Sequence, residues 1–298
     1  MGRDVYETSA AARSVFDSAD ETLGFEISRL CFEGPEDELR RTEIQQPALL
    51  TTSIALLRAL EEAGPVRPAY VGGHSLGEYS ALVACGALAF EDSVRLVNLR
   101  GRYMQEAVAE GRGAMAAVLG CAPDQVAETC QAVAAERGEV VAPANFNSPQ
   151  QTVIAGEAQA VEKASERLKE LGAKRVVALA VSAPFHCGLM APAAEKLRPE
   201  LDRVTFSDPN PPLVSNVEAE PNSSAAHIAD LLEQQVTAPV RFTEMIEKMT
   251  ALGVTRYLEV GAGRVLSGLI ARIQRRSQRA SLGSRDELDA ASEFVSGG

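Results

Sequence analysis

Ala69-Tyr70-Val71-Gly72-Gly73-His74-Ser75-Leu76-Gly77, followed by a helical segment from Glu78 to Cys85, reads as a short strand, a sharp turn and a helix. Strand, turn, helix is the setting in which a G-x-S-x-G pattern lifts a serine to the end of an α/β sheet as a nucleophile. The glycines at 73 and 77 leave room for a strained turn in which a Cβ would clash. Ser75 then stands at a helix N-terminus, where unpaired backbone N–H groups can stabilise an oxyanion. The plainer alternative is a Gly/Ser turn that merely caps a helix.

Upstream, residues up to about 32 have an amphipathic helical pattern. A firmer helix is expected from Pro47 through Leu50, Ile54, Leu57 and Leu60 to a Gly64-Pro65 stop. Another is expected over about 91–108. From Gly111 the pattern changes to strand 114–119, helix 123–137, strand 140–145, a turn at 147–149, strand 151–155, helix 157–171 and strand 174–181. That β-α-β-β-α-β order is the ferredoxin-like one. The expected fold is α/β: a large parallel-sheet body (1–110 and 184–298) with a small subdomain (111–183) inserted. Residues 213–216 and 256–260 are expected to be further strands of the body, and the polar tail after 281 to fray.

The chain has 298 residues, 46 % hydrophobic and 23 % charged, which suits a soluble protein with a substantial core. No apolar run reaches membrane-spanning length and the start lacks signal-peptide character, so no membrane partner is expected. Five cysteines without C-x-x-C spacing suggest free thiols in the cytoplasm and argue against zinc. A net charge of −12 disfavours nucleic acid as a partner. Against that sign, residues 260–285 hold no acid but carry Arg264, Arg272, Arg275, Arg276, Arg279 and Arg285. They form either a solvated helix face or a docking patch for an acidic partner.

A serine hydroxyl needs a neighbouring base, and the chain has only three histidines. His74 sits inside the turn and should point away from Ser75; His227 lies in a polar stretch. His186 follows Ser182-Ala183-Pro184-Phe185, where the chain re-enters the large body, and clefts form at such hinges. It is the best candidate base. Arg100, in Leu99-Arg100-Gly101-Arg102, is either an exposed helix arginine or a clamp for a substrate carboxylate.

Gly73-His74-Ser75-Leu76-Gly77-Glu78-Tyr79-Ser80-Ala81-Leu82 resembles the active-site signature of the malonyl-CoA:acyl carrier protein transacylase family, which includes acyltransferases of fatty-acid and polyketide synthesis. Further blocks agree in the same order: Gln46-Pro47-Ala48-Leu49-Leu50, Arg100-Gly101-Arg102-Tyr103-Met104-Gln105, Asn145-Phe146-Asn147-Ser148-Pro149, Ala183-Pro184-Phe185-His186-Cys187 and Glu259-Val260-Gly261-Ala262-Gly263. The resemblance implies a hydrolase-like body with a ferredoxin-like insert. It implies Ser75 as the acylated nucleophile, His186 as base and then acid, and the Leu76 N–H as an oxyanion donor. Arg100 would hold the malonyl carboxylate, and the main-chain carbonyl of Gln235 would orient His186, so no Asp is needed. Met104, Phe185 and Asn147 are expected at the substrate, with Phe185 crowding an α-methyl group.

The implied donor is malonyl-CoA and the acceptor is acyl carrier protein, with Arg272, Arg275, Arg276 and Arg279 as its docking site. No metal or redox cofactor is expected, and the resemblance suggests a monomer. A buried Arg100 would be costly against a plain fatty acyl chain, which argues against a lipase or esterase. The alternatives are a serine thioesterase or hydrolase and a carrier-binding module of low activity. The last arises because the resemblance also implies, before the segment matching Met1-Gly2-Arg3-Asp4, an apolar strand and a Gly-Gln-Gly-Ser-Gln loop that supplies a second oxyanion donor. No Gly-Gln-Gly occurs in the sequence. The expectation is that Met1 is an internal methionine of a longer product; the rival is a short chain lacking that donor, at a cost of roughly 10²–10³ in turnover.

Overall fold

A computed structural model describes residues 1–181 and 183–297; Ser182 in the stretch before Pro184, and Gly298, lie outside the described residues. The amphipathic start is three helices, Arg3–Thr8, Ala10–Leu23 and Ile27–Glu33. Ser9 caps the second, its hydroxyl accepting the Ala12 N–H, and Gly24 ends it in the left-handed conformation.

The long helix that follows runs Thr42–Ala63 and corrects the expected start at Pro47, which lies inside it. Proline cannot donate to the carbonyl four residues back. The Asn98 side-chain amide takes that Glu43 carbonyl instead, at 2.8 Å, so the helix continues through the proline. Asn98 comes from helix Phe90–Glu106, which packs along Thr42–Ala63 and carries Arg100. Gly101 permits that approach, since a Cβ there would lie 2.6 Å from the Thr42 carbonyl oxygen.

Strand Val71–Gly72 pairs in parallel with Leu213–Val214, and Arg256–Val260 pairs in parallel with Gln278–Leu282. The tail is folded, not frayed: Gln278–Leu282 is a strand, and helix Leu288–Ser296 buries Leu288 and Ala291.

Strands Gly113–Leu119, Val141–Ser148, Gln151–Glu157 and Arg175–Ala178 form one antiparallel sheet. Its spatial order is second, third, first, fourth, the ferredoxin-like arrangement. The expected turn at 147–149 is shorter, because Ser148 still pairs with Gln151. Period-two alternation gives this sheet two apolar faces. Ala116, Val118 and Ile154 meet the helices Pro123–Arg137 and Ala158–Glu170. Met115, Ala117, Val153 and Ala155 meet Phe185, Cys187 and Leu189, the segment that carries His186. The strand Val141–Ser148 is also stitched to the body beyond helix Ile228–Thr237: Val240 donates to the Ala144 carbonyl and accepts from the Phe146 N–H, each at 2.9 Å.

Candidate active site

Ser75 has φ 52°, a left-handed conformation rare for a residue with a Cβ. The turn is held by Asn216, fully buried just past strand Leu213–Val214. Its Oδ1 accepts the Ser75 N–H at 2.7 Å and its Nδ2 donates to the Gly73 carbonyl at 2.6 Å. Because Gly72 pairs with Val214, the parallel register delivers Asn216 beside the turn. The steric demand falls on Gly73 alone. A Cβ there would lie 2.1 Å from the Gly77 carbonyl carbon, whereas one on Gly77 would meet nothing within 4 Å. Gly73→Ala is therefore expected to cost about 3 kcal/mol or more and Gly77→Ala under about 1, read from urea unfolding. Equal midpoints would contradict this account of the turn.

Ser75 Oγ lies 2.7 Å from His186 Nε2, and His186 Nδ1 lies 2.8 Å from the Gln235 carbonyl oxygen. A carbonyl only accepts, so Nδ1 carries the proton and Nε2 offers its lone pair to the serine. Burial, reinforced by the Arg100 charge, holds the His186 pKa down to about 3, so the imidazole is neutral at physiological pH. The Leu76 N–H makes no hydrogen bond among the described residues, while its neighbours on both sides do.

Arg100 is 2 % exposed, which removes the exposed-helix reading. Its Nη1 donates to Gln46 Oε1 at 2.6 Å, and its Nη2 donates to Gln235 Oε1 at 2.9 Å and Ser75 Oγ at 3.1 Å. Its Nε is buried with no partner among the described residues, and the guanidinium stands 5.6 Å from the Tyr79 ring centroid. A buried cation touching a serine hydroxyl, with a donor to spare, can hold an anionic group.

Residues 1–285 match the family of sequences described as the acyl transferase domain. The chain belongs to the acyl transferase family. It is 48 % identical over 291 residues to the malonyl CoA-acyl carrier protein transacylase of Bacillus subtilis (strain 168), covering 98 % of this chain and 91 % of that protein. Among solved structures, an acyl carrier protein S-malonyltransferase from Vibrio cholerae superposes with TM-score 0.95 at 43 % identity, over 98 % of this chain and 94 % of the other. A malonyl-transacylase in complex with a type II PKS acyl-carrier protein superposes with TM-score 0.95 at 44 % identity, again over 98 % and 94 %.

In this acyl transferase the four candidate site residues (Ser75, His186, Arg100 and Gln235) converge from four separate segments. Met104, one turn beyond Arg100, is 1 % exposed, and its sulfur faces Gln46 Nε2 at 3.9 Å. Asn147 is committed to His74, whose Nε2 lies 2.7 Å from Asn147 Oδ1, and His74 does point away from the serine. Phe185 is half-buried between the large core and the sheet face of the small subdomain. Sequence reasoning missed Asn216, the Gln46 and Gln235 side chains, and Glu78. Glu78 and Gln46 stand inside the quoted blocks; for Asn216 the only signal is an amide directly after an apolar strand.

Of the four arginines offered as a docking site, Arg272, Arg275 and Arg276 are exposed, Arg272 also donating to Gln151 Oε1 at 3.0 Å. Arg279 is a correction: its Nη1 donates to the Gln274 and Ser277 carbonyls and the Ser277 hydroxyl, fastening its own loop. No helix is long and apolar enough to cross a membrane, and no cluster of three His, Cys, Asp or Glu is placed to hold a metal, among the described residues.

Proposed function

We infer that this acyl transferase moves a malonyl group from malonyl-CoA to the phosphopantetheine thiol of acyl carrier protein through a malonyl-Ser75 intermediate. The observation that carries this reading is the buried Arg100 guanidinium 3.1 Å from Ser75 Oγ. A site that buries a cation against its nucleophile favours an acyl group bearing an anion.

In the first half-reaction Ser75 Oγ attacks the thioester carbon and its proton passes to His186 Nε2. The carbonyl oxygen, now negative, faces the Leu76 N–H. The C–S bond breaks and His186 returns the proton to the departing CoA sulfur. The second half-reaction reverses these steps, with the carrier thiol giving its proton to His186 and attacking the acyl-serine. Arg100 Nε and Nη groups hold the malonyl carboxylate throughout. A bound carboxylate also offsets the Arg100 charge that depresses His186, so the base strengthens when the right acyl group arrives. The large body (1–110 and 184–298) supplies nucleophile, base and clamp, while the small subdomain (111–183) walls the acyl group. Phe185 borders that group, while Met104 and Asn147 stand behind it, engaged by Gln46 and His74. Discrimination by Phe185 against an α-methyl is about 1–3 kcal/mol.

Incubation with labelled malonyl-CoA, first alone and then with carrier protein, tests the transfer. Label is expected to stay on the protein until the carrier is added and then to move to it. Rapid release as free malonate without carrier would identify a thioesterase. Carrier binding without any acylation would identify a binding module. Reversing the charge of Arg272, Arg275 and Arg276 to Glu is expected to raise the carrier KM about tenfold and weaken its salt dependence, leaving self-malonylation from malonyl-CoA intact. An unchanged carrier KM would place the docking surface elsewhere.

A further inference from the structure

Glu78 is 1 % exposed, and the reaction above gives it no task. Its Oε2 accepts Gln235 Nε2–H at 2.6 Å and the Asn216 N–H at 3.2 Å. Gln235, itself fully buried, directs its other amide atom at the clamp, with Oε1 accepting from Arg100 Nη2 at 2.9 Å. One side-chain amide therefore stands between a buried cation and a buried carboxylate, oxygen toward the first and nitrogen toward the second. Only that orientation makes both contacts attractive. The direct partners of Arg100 (Gln46, Ser75 and Gln235) are all neutral. A buried guanidinium with no anion nearby is costly, and Glu78 supplies that anion at one remove.

We propose that Glu78 is the resident counter-anion of Arg100, acting through the Gln235 side chain, and that a substrate carboxylate competes with it for the same cation. This rests on Arg100 being the carboxylate clamp. A second anion arriving at Arg100 repels Glu78, which relieves the repulsion by taking up a proton. Burial already pushes the Glu78 carboxyl up to about 7, so that proton is available near neutrality. The other ionisable groups facing this centre keep their charge between pH 6.5 and 8.5. Arg100 stays cationic, burial raises Tyr79 and keeps it neutral, and burial lowers His74 and His186, also leaving both neutral. Glu78 is charged above about pH 7 and neutral below it, so carboxylate ligands should bind more tightly on the acid side.

Malonamate, a single carboxylate on a three-carbon amide, is the probe, with its Kd measured on the full chain by calorimetry. In the unaltered protein Kd is expected to rise about five- to tenfold from pH 6.5 to 8.5, the effect of a one-unit rise in the Glu78 pKa on binding. Glu78→Gln keeps an oxygen for both N–H donors but carries no charge. It is expected to bind malonamate about tenfold tighter than wild type at pH 8.5, with a flat pH profile and a raised kcat/KM ratio for malonyl-CoA over acetyl-CoA. A pH-independent Kd in the unaltered protein overturns the proposal even if Glu78→Gln does not fold, and an unchanged selectivity in that variant does the same. Arg100→Ala separates the two levels. Retained malonamate binding there would refute the clamp itself, whereas lost binding beside a flat wild-type profile would refute only the role of Glu78.

Discussion

Ser75→Ala is expected to take up no malonyl label and to lose transfer by roughly six orders of magnitude, the scale on which a serine enzyme falls when its nucleophile is removed. The serine Oγ is the atom on which both His186 Nε2 and Arg100 Nη2 converge, and no second hydroxyl hydrogen-bonds to either among the described residues. The variant should remain folded. Alanine keeps the same Cβ at φ 52°, and the two Asn216 bonds that hold the turn involve only backbone groups of Gly73 and Ser75. A thermal midpoint near that of wild type would separate lost chemistry from lost structure. Label persisting on the variant would refute Ser75 as the acylated residue.

Arg100→Ala is expected to lower kcat/KM for malonyl-CoA by about 10²–10³ while leaving acetyl-CoA unchanged or improved, so that the preference collapses. The range follows from losing a buried, charge-assisted contact to a carboxylate, worth about 2–5 kcal/mol. The same substitution leaves the oxygens of Gln46 and Gln235 unpaired, each costing about 1–3 kcal/mol of stability. Selectivity is therefore the measurement that decides, because a general loss of structure would lower both donors alike. Arg100→Met, closer in volume, should show the same collapse with less damage to the fold. Undiminished malonyl preference in both variants would mean that the carboxylate is held elsewhere.

Local sequence carried much of the fold. The helix over 123–137 and the strand over 256–260 match the structure residue for residue, because proline, glycine and apolar periodicity act over a few positions. The β-α-β-β-α-β order was equally legible, and the ferredoxin-like sheet follows from it. Local signals failed where a distant group satisfied the backbone. Pro47 looks like a helix start until Asn98 takes the carbonyl it orphans. The polar tail looks frayed until Gln278–Leu282 finds a parallel partner in Arg256–Val260. Arg279 looks available until its own loop claims it.

The site divides along the same line. Sequence alone determined the candidates for the chemistry: a serine in a turn flanked by Gly73 and Gly77, a histidine among only three, and an arginine in a block resembling a known family. Those are properties of residue type and short-range geometry. Tertiary structure decided the environment, which depends on segments 25 to 157 residues apart along the chain. It buried Arg100 against Ser75, set the His186 tautomer with the Gln235 carbonyl, and pinned the turn with Asn216. It also placed Glu78 behind the Gln235 amide. A charge acquires its chemical meaning from what excludes water around it and from which dipoles face it, and only the folded chain brings those together.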